Sequence, residues 1–262
     1  MISLRRDWIG IRGLRHRVDW AVRKFYVARP AIRIAAIAAI ALLGLITINL
    51  VYQVLRKPTE MFAFISSGFD KAPADTWRHY GSLFREYSTA TISPELLAAL
   101  AQVEGAGNPV ARTYWRWQLS WNPLALYRPA SSSVGMFQMT DAAFAEARAF
   151  CVRDHIVMEN GCWLNWLYIR VVPSYAIQLA AIYLDRNVEK IVAEHINTRP
   201  NSEQRRELAS IIHLCGAGVA KAFAQRGFRL LAGERCGEHV VTTYLARVKA
   251  MEREFRRLAA NP

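Results

Sequence analysis

A single carboxylate, Glu104, lies at the end of an apolar helical run and is followed closely by two glycines, Gly105 and Gly107. The negative end of a helix dipole and the low dielectric of apolar neighbours both favour the neutral form of such a carboxyl group. A carboxylic acid that keeps its proton near neutral pH can protonate a leaving oxygen, as glycosidic bond cleavage requires. The alternative is a solvated glutamate in the last turn of a helix, without a catalytic role.

The helix that carries Glu104 has clear start signals. Ser93 is the expected N-cap, Pro94 occupies the first helical position, and Glu95 lies in the first turn. The apolar residues that follow recur at spacings of one, three and four, so they form one stripe that we expect to be buried. The two glycines are expected to end this helix.

Helical periodicity continues through most of the remaining chain. It predicts further helices at about 140–150, 174–195, 202–215 with Ser202 as the cap, 217–226 and 239–258. Prolines, consecutive serines and aromatics predict a loop at 108–135. No segment alternates apolar and polar residues for long enough to predict a strand. The fold class is therefore mostly α, with about seven helices in this domain.

The N-terminal part of the chain has the features of a membrane anchor. Ile34 to Leu55 is a run of 22 residues without a charge, and as a helix it would reach about 33 Å, enough for a hydrocarbon core of about 30 Å. A buried core helix is the alternative, but the run has no polar face and a basic cluster precedes it. A cleaved signal peptide fits poorly because the run is too long.

The formal net charge of +13 is distributed unevenly. Residues 1–57 hold 11 Lys and Arg against 2 acidic residues, a net of +9, which leaves +4 for the rest of the chain. A basic segment before a membrane span predicts a cytoplasmic N-terminus that faces anionic lipids. The nearly balanced remainder gives little support to nucleic-acid binding, and we expect no nucleic-acid partner.

All four cysteines follow the apolar run, where an exported domain would meet oxidising conditions that favour disulfides. Proximity in the sequence favours Cys151–Cys162 and Cys215–Cys236 among the three possible pairings. A zinc site is the alternative, because two histidines stand at suitable spacing from two of the cysteines. Its ligands would be His213, Cys215, Cys236 and His239.

Four segments occur in the order of a known family. The helix ISPELLAALAQVE ends at Glu104, and Asn122-Pro-Leu-Ala125, Gly135-Met-Phe-Gln-Met139 and Thr243-Tyr244-Leu-Ala-Arg-Val follow. These segments resemble the catalytic helix, the Asn-Pro-x-Ala segment, the Gly-Leu-Met-Gln motif and the closing Tyr-Val motif of the SLT-type lytic transglycosylases. Those proteins are exported enzymes of lysozyme-like α fold that cut peptidoglycan. The resemblance covers roughly residues 91–255.

Three features depart from the family pattern. Gly105 stands where the family commonly has Ser, and the 18 residues from Glu104 to Asn122 exceed the usual spacing. Cys215 and Gly216 replace a Tyr-Asn pair, so an aromatic hydroxyl that faces the family's Glu is missing from its usual place. Tyr244 is the candidate replacement. These departures concern the positioning of substrate more than the presence of the acid.

The resemblance implies a mechanism with one carboxyl group. Glu104 protonates the oxygen between N-acetylmuramic acid and N-acetylglucosamine, the substrate's N-acetyl group supports C1, and Glu104 then acts as the base for attack by the muramyl C6 hydroxyl. The product carries a 1,6-anhydro end. We expect no metal or organic cofactor.

Sugar faces stack on aromatic rings, and backbone and amide groups hold sugars by hydrogen bonds. For the aromatic residues, the alternative is that they fill the core and pin a long loop. The candidate substrate-binding residues are Gly135, Met136, Gln138, Tyr244, Trp115 and Trp121.

The predicted organisation has four parts: a basic cytoplasmic arm at 1–30, a transmembrane helix at 31–55, a linker with short helices at 56–90, and a lytic transglycosylase-like catalytic domain at 91–262. The resemblance implies a single-pass protein of the bacterial inner membrane, with its catalytic domain in the periplasm and peptidoglycan glycan strands as substrate. A partner in the envelope or in a secretion apparatus remains open.

Two other functions are compatible with the sequence. A water-using muramidase would need a second acid, for which Asp141 is the nearest candidate downstream of the Gly135 motif. A non-catalytic module for peptidoglycan binding or envelope assembly is the other, and the altered Cys215-Gly216 pair makes it conceivable. The histidines at 155, 195, 213 and 239 are expected to be surface or satisfied core residues.

Overall fold

The structure, a computed structural model, describes residues 19–20, 23–62, 66–163, 165–194 and 200–261. The described part is mostly helical, which confirms the predicted class. The chain divides into two compact units. The first comprises Met1–Leu55 and Trp117–Arg128, and the second comprises Arg56–Arg116 and Pro129–Pro262.

The first unit contains helix α1, Pro30–Arg56, which is long and apolar enough to cross a membrane, as the charge-free run predicted. A short 3-10 helix, Pro123–Ala125, lies in the second segment of this unit. Most of the arm predicted at 1–30 lies outside the described residues, although residues 23–27 are helical.

The second unit is built mainly from seven described α-helices and three 3-10 helices. The α-helices are α2 (Pro73–Tyr87), α3 (Pro94–Gly105), α4 (Asp141–Ala147), α5 (Pro173–Glu194), α6 (Ser202–Cys215), α7 (Ala217–Gln225) and α8 (Val241–Ala260). The 3-10 helices are Pro58–Phe62, Ser66–Phe69 and Asn165–Leu167.

Short strands form three two-stranded sheets that the sequence did not predict. With two or three residues each, they are too short to show an alternating pattern. The pairs are β1 (Trp115–Trp117) with β2 (Tyr127–Pro129), β3 (Cys151–Arg153) with β4 (Ile156–Met158), and β5 (Arg235–Cys236) with β6 (His239–Val240). In the antiparallel pair β3–β4, Cys151 lies opposite Met158.

The core of the second unit forms around α3 and α5. Helix α3 packs against α8 and α2, and α5 packs against α6, α4 and α2. Six consecutive residues of α3, from Leu96 to Ala101, are completely buried. This burial goes beyond the predicted stripe, because helices surround α3 on several sides.

Residues 56–90, predicted as a linker with short helices, contain two 3-10 helices and the 15-residue helix α2. Trp77 and Phe84 of α2 are buried in the core. They lie seven residues apart, with Tyr80 packed against the core between them, which is helical spacing. The segment is therefore part of the second unit and not only a spacer.

The predicted helix starts can be compared with the caps in the structure. The Ser93 hydroxyl accepts a hydrogen bond from the backbone N–H of Leu96 at 3.2 Å, which confirms this N-cap. The prediction of Ser202 as a cap is wrong by one residue. Asn201 is the N-cap of α6 and forms a capping box with Gln204, so Ser202 is the first helical residue.

Both predicted disulfides are present, Cys151–Cys162 and Cys215–Cys236. The zinc alternative is therefore wrong, because two of its four ligands are bonded to each other. The first disulfide joins β3 to the loop after β4. The second joins the end of α6 to strand β5.

Candidate active site

Glu104 lies in the last turn of α3, and its position depends on how that helix ends. Ala106 adopts the left-handed conformation with φ of 48°, and its N–H donates to the carbonyl of Gln102 at 3.0 Å. Gly107 has φ of 63°, and its N–H donates to the carbonyl of Ala101 at 3.1 Å. The helix therefore stops one residue after Glu104, close to the predicted boundary.

The end of α3 is also held by Lys71, just before α2, and by Thr76, in the first turn of α2. The Gln102 side chain donates to the carbonyl of Lys71 at 2.8 Å, and the hydroxyl of Thr76 donates to Gln102 at 2.7 Å. The backbone N–H of Lys71 donates to the carbonyl of Ala106 at 2.8 Å. These bonds satisfy polar groups at the helix end and leave little freedom in the turn that carries Glu104.

The Glu104 side chain is mostly enclosed, with 19% of its surface exposed. The hydroxyl of Tyr244, on α8, donates a hydrogen bond of 2.6 Å to Glu104 Oε1. The Nε2 atom of His213, on α6, lies 3.8 Å from the same oxygen. The carboxyl group therefore meets two polar side chains from two other helices while it keeps a path to solvent.

Tyr244 is 3% exposed, and its environment keeps the phenol neutral. Burial, followed by the charge of Glu104 and the hydrogen bond with it, raises the pKa of Tyr244 well above its usual value. The hydroxyl therefore keeps its proton at neutral pH. It can donate to the carboxylate form of Glu104 and can accept from the acid form, so it serves both protonation states.

His213 is the residue of this site that the sequence interpretation missed. It had been expected to be a surface or satisfied core residue, and its side chain is only 9% exposed. Its ring meets that of Phe137 edge-on, with 6.4 Å between centroids. From the sequence, His213 was a candidate only for the zinc alternative, which the Cys215–Cys236 disulfide excludes. Among the other histidines, His79 lies on α2, His155 and His239 lie in the β3–β4 and β5–β6 regions, and His195 lies outside the described residues.

The turn at 134–139 packs directly against the end of α3. A Cβ atom on Gly105 would lie 2.9 Å from both Cα and the carbonyl oxygen of Met136, closer than real contacts allow. Gly135 has φ of 76°, and a Cβ there would lie 2.4 Å from the carbonyl oxygen of Arg170. Gly105 is therefore needed for the close approach of the turn to α3, and Gly135 for the close approach of the turn to Arg170.

The side chains of this turn are not arranged as the sequence predicted. Met136 is fully buried, so its side chain contacts the core and is not available to a sugar. Gln138, with φ of 44°, donates to the carbonyls of Ala111 at 3.1 Å and Gly135 at 2.9 Å. Its amide nitrogen thus holds the turn together, and the residue as a whole is partly exposed.

Trp115 has a structural partner. Its indole N–H donates to Glu60 Oε2 at 2.6 Å, and the Glu60 side chain is completely buried. Glu60 also forms ion pairs with Lys57 at 3.1 Å and Arg112 at 3.4 Å. Burial lowers the pKa of Lys57, against the opposing effect of Glu60. This cluster anchors the first 3-10 helix to the segment before β1, so Trp115 fits the alternative of a ring that pins a loop.

Trp121 is fully exposed and belongs to the first unit, apart from the unit that contains Glu104. Asp141, the candidate second acid, has an exposed side chain that pairs with Arg170 at 2.6 Å. Among the described residues, the ionisable partners of Glu104 are Tyr244 and His213, and neither of them is a carboxylate.

A cavity of about 280 Å³ lies in the second unit between α6 and α8, and Glu104 does not line it. Charged residues dominate its walls and largely pair with each other, as Lys249 does with Glu203 and Arg206 with Glu252. Within the described ranges, no cluster of three or more His, Cys, Asp or Glu residues is arranged to hold a metal ion.

The chain was compared with known proteins at three levels. No protein-family model matches it, and neither the curated proteins nor the solved structures gave a match.

Proposed function

We propose that the chain is a membrane-anchored peptidoglycan lytic transglycosylase with a lysozyme-like helical domain. The observation that carries this proposal is Glu104, an enclosed but solvent-reachable carboxyl group bound by the neutral hydroxyl of Tyr244. The resemblance of the sequence segments around Glu104, Gly135 and Tyr244 to that family adds the substrate. The cleaved bond is the β-1,4 link between N-acetylmuramic acid and N-acetylglucosamine.

In the first step, the protonated Glu104 gives its proton to the glycosidic oxygen as the bond from C1 to that oxygen breaks. The acetamido oxygen of the muramyl residue stabilises C1 from the opposite face of the sugar ring as that bond breaks. Glu104, now a carboxylate, accepts the proton of the muramyl C6 hydroxyl as its oxygen bonds to C1. The leaving strand keeps the first proton, a 1,6-anhydro end forms, and no water is consumed.

Tyr244 supports both halves of this cycle. Its hydroxyl donates to the carboxylate that exists between the two proton transfers and accepts from the acid that exists before them. The partner hydroxyl is fixed by burial on α8, so Glu104 is oriented without a second carboxylate. This supports the one-acid route over the water-using muramidase, because Asp141 is engaged by Arg170.

The proposed location follows from the apolar helix and the disulfides. Helix α1 anchors the chain in a bacterial inner membrane, with the N-terminus in the cytoplasm and the disulfide-containing unit in the periplasm. Peptidoglycan glycan strands are the proposed substrate in that compartment. A partner in the envelope or in a secretion apparatus is compatible with this arrangement.

The decisive experiment digests purified sacculi with the full-length chain and analyses the released muropeptides by mass spectrometry. The Glu104→Gln variant is expected to lose at least about 10²-fold in activity, because the amide cannot donate or accept the catalytic proton. Asp141→Asn is the matched control and is expected to stay near the wild-type rate. Circular dichroism of both variants checks that the fold is intact.

The products distinguish the competing functions. Anhydro ends that disappear in Glu104→Gln support the proposal. Reducing ends, combined with a large loss in Asp141→Asn, would show a muramidase. Sacculus binding without any released muropeptide from the wild-type chain would show a binding or assembly module.

A further inference from the structure

The segment Trp117–Arg128, here called the 117–128 loop, belongs to the same compact unit as helix α1. The side chain of Asn49 donates to the carbonyl of Pro123 at 3.2 Å, and that of Gln53 donates to the carbonyl of Leu124 at 2.6 Å. Asn49 and Gln53 are four residues apart, so they lie on one face of α1. The loop is thus fixed to one face of the apolar helix near its C-terminal end.

Burial along α1 is reversed relative to a helix on the surface of a soluble protein. Asn49 and Gln53 are its buried residues, at 3% and 7% exposure. Its large apolar side chains are mostly exposed, for example Ile40 at 68% and Leu43 at 65%. A helix that turns polar groups toward protein and apolar groups outward is suited to a hydrocarbon surrounding.

The depth of the two contacts follows from helix geometry. Gln53 and Asn49 precede Arg56 by three and seven residues, about 4.5 Å and about 10 Å along the helix axis. Arg56 and Lys57 end the charge-free run and mark the level of the lipid headgroups. The carbonyls of Pro123 and Leu124 therefore lie beside the last turns of the membrane-spanning part, at or below that level.

The backbone of the 117–128 loop can tolerate this position because many of its polar groups have partners within the loop. The N–H of Gln118 donates to the carbonyl of Leu126 at 2.8 Å, and the N–H of Leu124 donates to the Asn122 side chain at 2.9 Å. Irregular backbone near the hydrocarbon region must have its N–H and C=O groups hydrogen-bonded within the protein.

Most of the exposed side chains of the loop are apolar or aromatic, and Gln118 and Asn122 are the exposed polar ones. Leu119 and Trp121 are fully exposed, and Trp117 is 71% exposed. Tryptophan favours the boundary between headgroups and acyl chains, since its ring is apolar and its N–H remains hydrogen-bonded there. Beside the end of a membrane span, such a cluster of apolar and aromatic side chains is more stable in contact with lipid than in contact with water.

We propose that the 117–128 loop binds the lipid bilayer in the leaflet where α1 ends, with Leu119 and Trp121 inserted between the headgroups and the upper acyl chains. The loop and the last turns of α1 form one membrane-bound element. Trp121 is then a lipid anchor, in place of the sugar contact expected from the sequence. This inference does not depend on the proposed enzymatic activity.

The test uses the full-length chain in phosphatidylcholine and phosphatidylglycerol vesicles. All four native cysteines are paired, so Leu119→Cys introduces a single labelling site for an environment-sensitive fluorophore. Ala259→Cys, at an exposed position near the end of α8, is the matched control. Lipids that carry a nitroxide quencher either at the headgroup or deep in the acyl chain report the depth of the label.

At position 119, we expect blue-shifted emission. The shallow quencher should remove most of the fluorescence there, and the deep quencher should remove less of it. Both quenchers should remove much less fluorescence at position 259. Emission typical of water at position 119, with quenching equal to that of the control, overturns the proposal. A blue shift that occurs only when soluble glycan fragments are added, with no quenching by the labelled lipids, also overturns the proposal. That result would indicate a sugar contact instead. Unchanged circular dichroism of both labelled chains shows that each is folded.

Discussion

Gly105 lies next to the candidate acid Glu104. The structure gives a physical reason for the glycine, since a Cβ atom there would meet the backbone of Met136 at 2.9 Å. Backbone cannot move aside as a flexible side chain can, so a larger residue would push the 134–139 turn away from α3. The glycine is thus required by the close packing of α3 and the 134–139 turn.

Tyr244 is the second residue on which the site depends. Its hydroxyl comes from α8 and donates a hydrogen bond of 2.6 Å to Glu104. A hydrogen bond to a charged group contributes about 1.5–3 kcal/mol. The loss of this bond should therefore be visible in catalysis as well as in stability.

We predict that Tyr244→Phe lowers kcat/KM by about 10- to 100-fold, because Glu104 loses the group that orients it. Muropeptide release from sacculi measures the loss. Tyr183→Phe is the control, since Tyr183 is another tyrosine whose pKa is raised by burial but it has no contact with Glu104 among those described. An unchanged rate in Tyr244→Phe would contradict the role given to this hydroxyl.

The same variant has an expected pH dependence. The pKa of Tyr244 in the folded chain lies above its ordinary value of 10.0, so the folded state holds this proton more tightly than the unfolded state. The resulting stability is present below about pH 10 and is lost as the pH rises above it. Thermal unfolding in detergent should therefore show a smaller alkaline loss of stability in Tyr244→Phe than in the wild type.

At the scale of elements, the Cys215–Cys236 disulfide links two parts of the site. Cys215 ends α6, two residues after His213, and Cys236 lies in β5, before the chain enters α8 with Tyr244. Gly216 follows with φ of 80°, a conformation that favours glycine and separates α6 from α7. The disulfide thus connects the end of the helix that carries His213 to the strand before the helix that carries Tyr244.

We predict that the double variant Cys215→Ser/Cys236→Ser is less stable by roughly 3 kcal/mol, from the loop of about 20 residues that the disulfide closes. Its activity on sacculi should also fall, because His213 and Tyr244 are less firmly placed. The control is Cys151→Ser/Cys162→Ser, which removes the other disulfide. It should lose similar stability in chemical denaturation.

The comparison of the two double variants is expected to separate the effect on stability from the effect on activity. At a temperature where both double variants are folded, the Cys151/Cys162 variant should keep more of the wild-type rate. Equal activity losses in the two variants would show that the Cys215–Cys236 link has no specific effect on the site.

At the scale of the whole molecule, the apolar helix α1 and the two disulfides are the features that bear on location. Helix α1 is long and apolar enough to cross a bilayer, and both disulfides lie after it in the chain. Stable disulfides are typical of oxidising compartments. The basic residues before α1 favour a cytoplasmic N-terminus.

We predict that a membrane-impermeant maleimide labels Glu254→Cys in intact cells with a permeabilised outer membrane, whereas Ser3→Cys is labelled only after lysis. The first position lies on α8 after the span, and the second lies in the basic arm before it. The reverse labelling pattern would contradict the proposed orientation and would place the candidate site in the cytoplasm.

Several features were predictable because their signals act over a few residues. The Ser93 cap, the end of α3 near Gly105 and the length of α1 depend on local hydrogen bonds, backbone freedom and helical rise. The disulfide pairs were also predicted, since both join cysteines close in sequence. Helix α2 was missed as a core element, although its Trp77 and Phe84 have helical spacing, because the glycines and prolines around them indicated a linker.

The sequence by itself determined a mostly helical chain with one apolar helix of membrane-spanning length and one carboxyl group at a helix end. Run length, periodicity and caps are properties of neighbouring residues. Only the tertiary structure decided which groups surround that carboxyl. Tyr244 is 140 positions from Glu104 in the sequence, and His213 comes from a third helix. The burial of Met136, the Glu60 partner of Trp115 and the contacts of Asn49 with the 117–128 loop likewise depend on packing between distant segments, which no local pattern encodes.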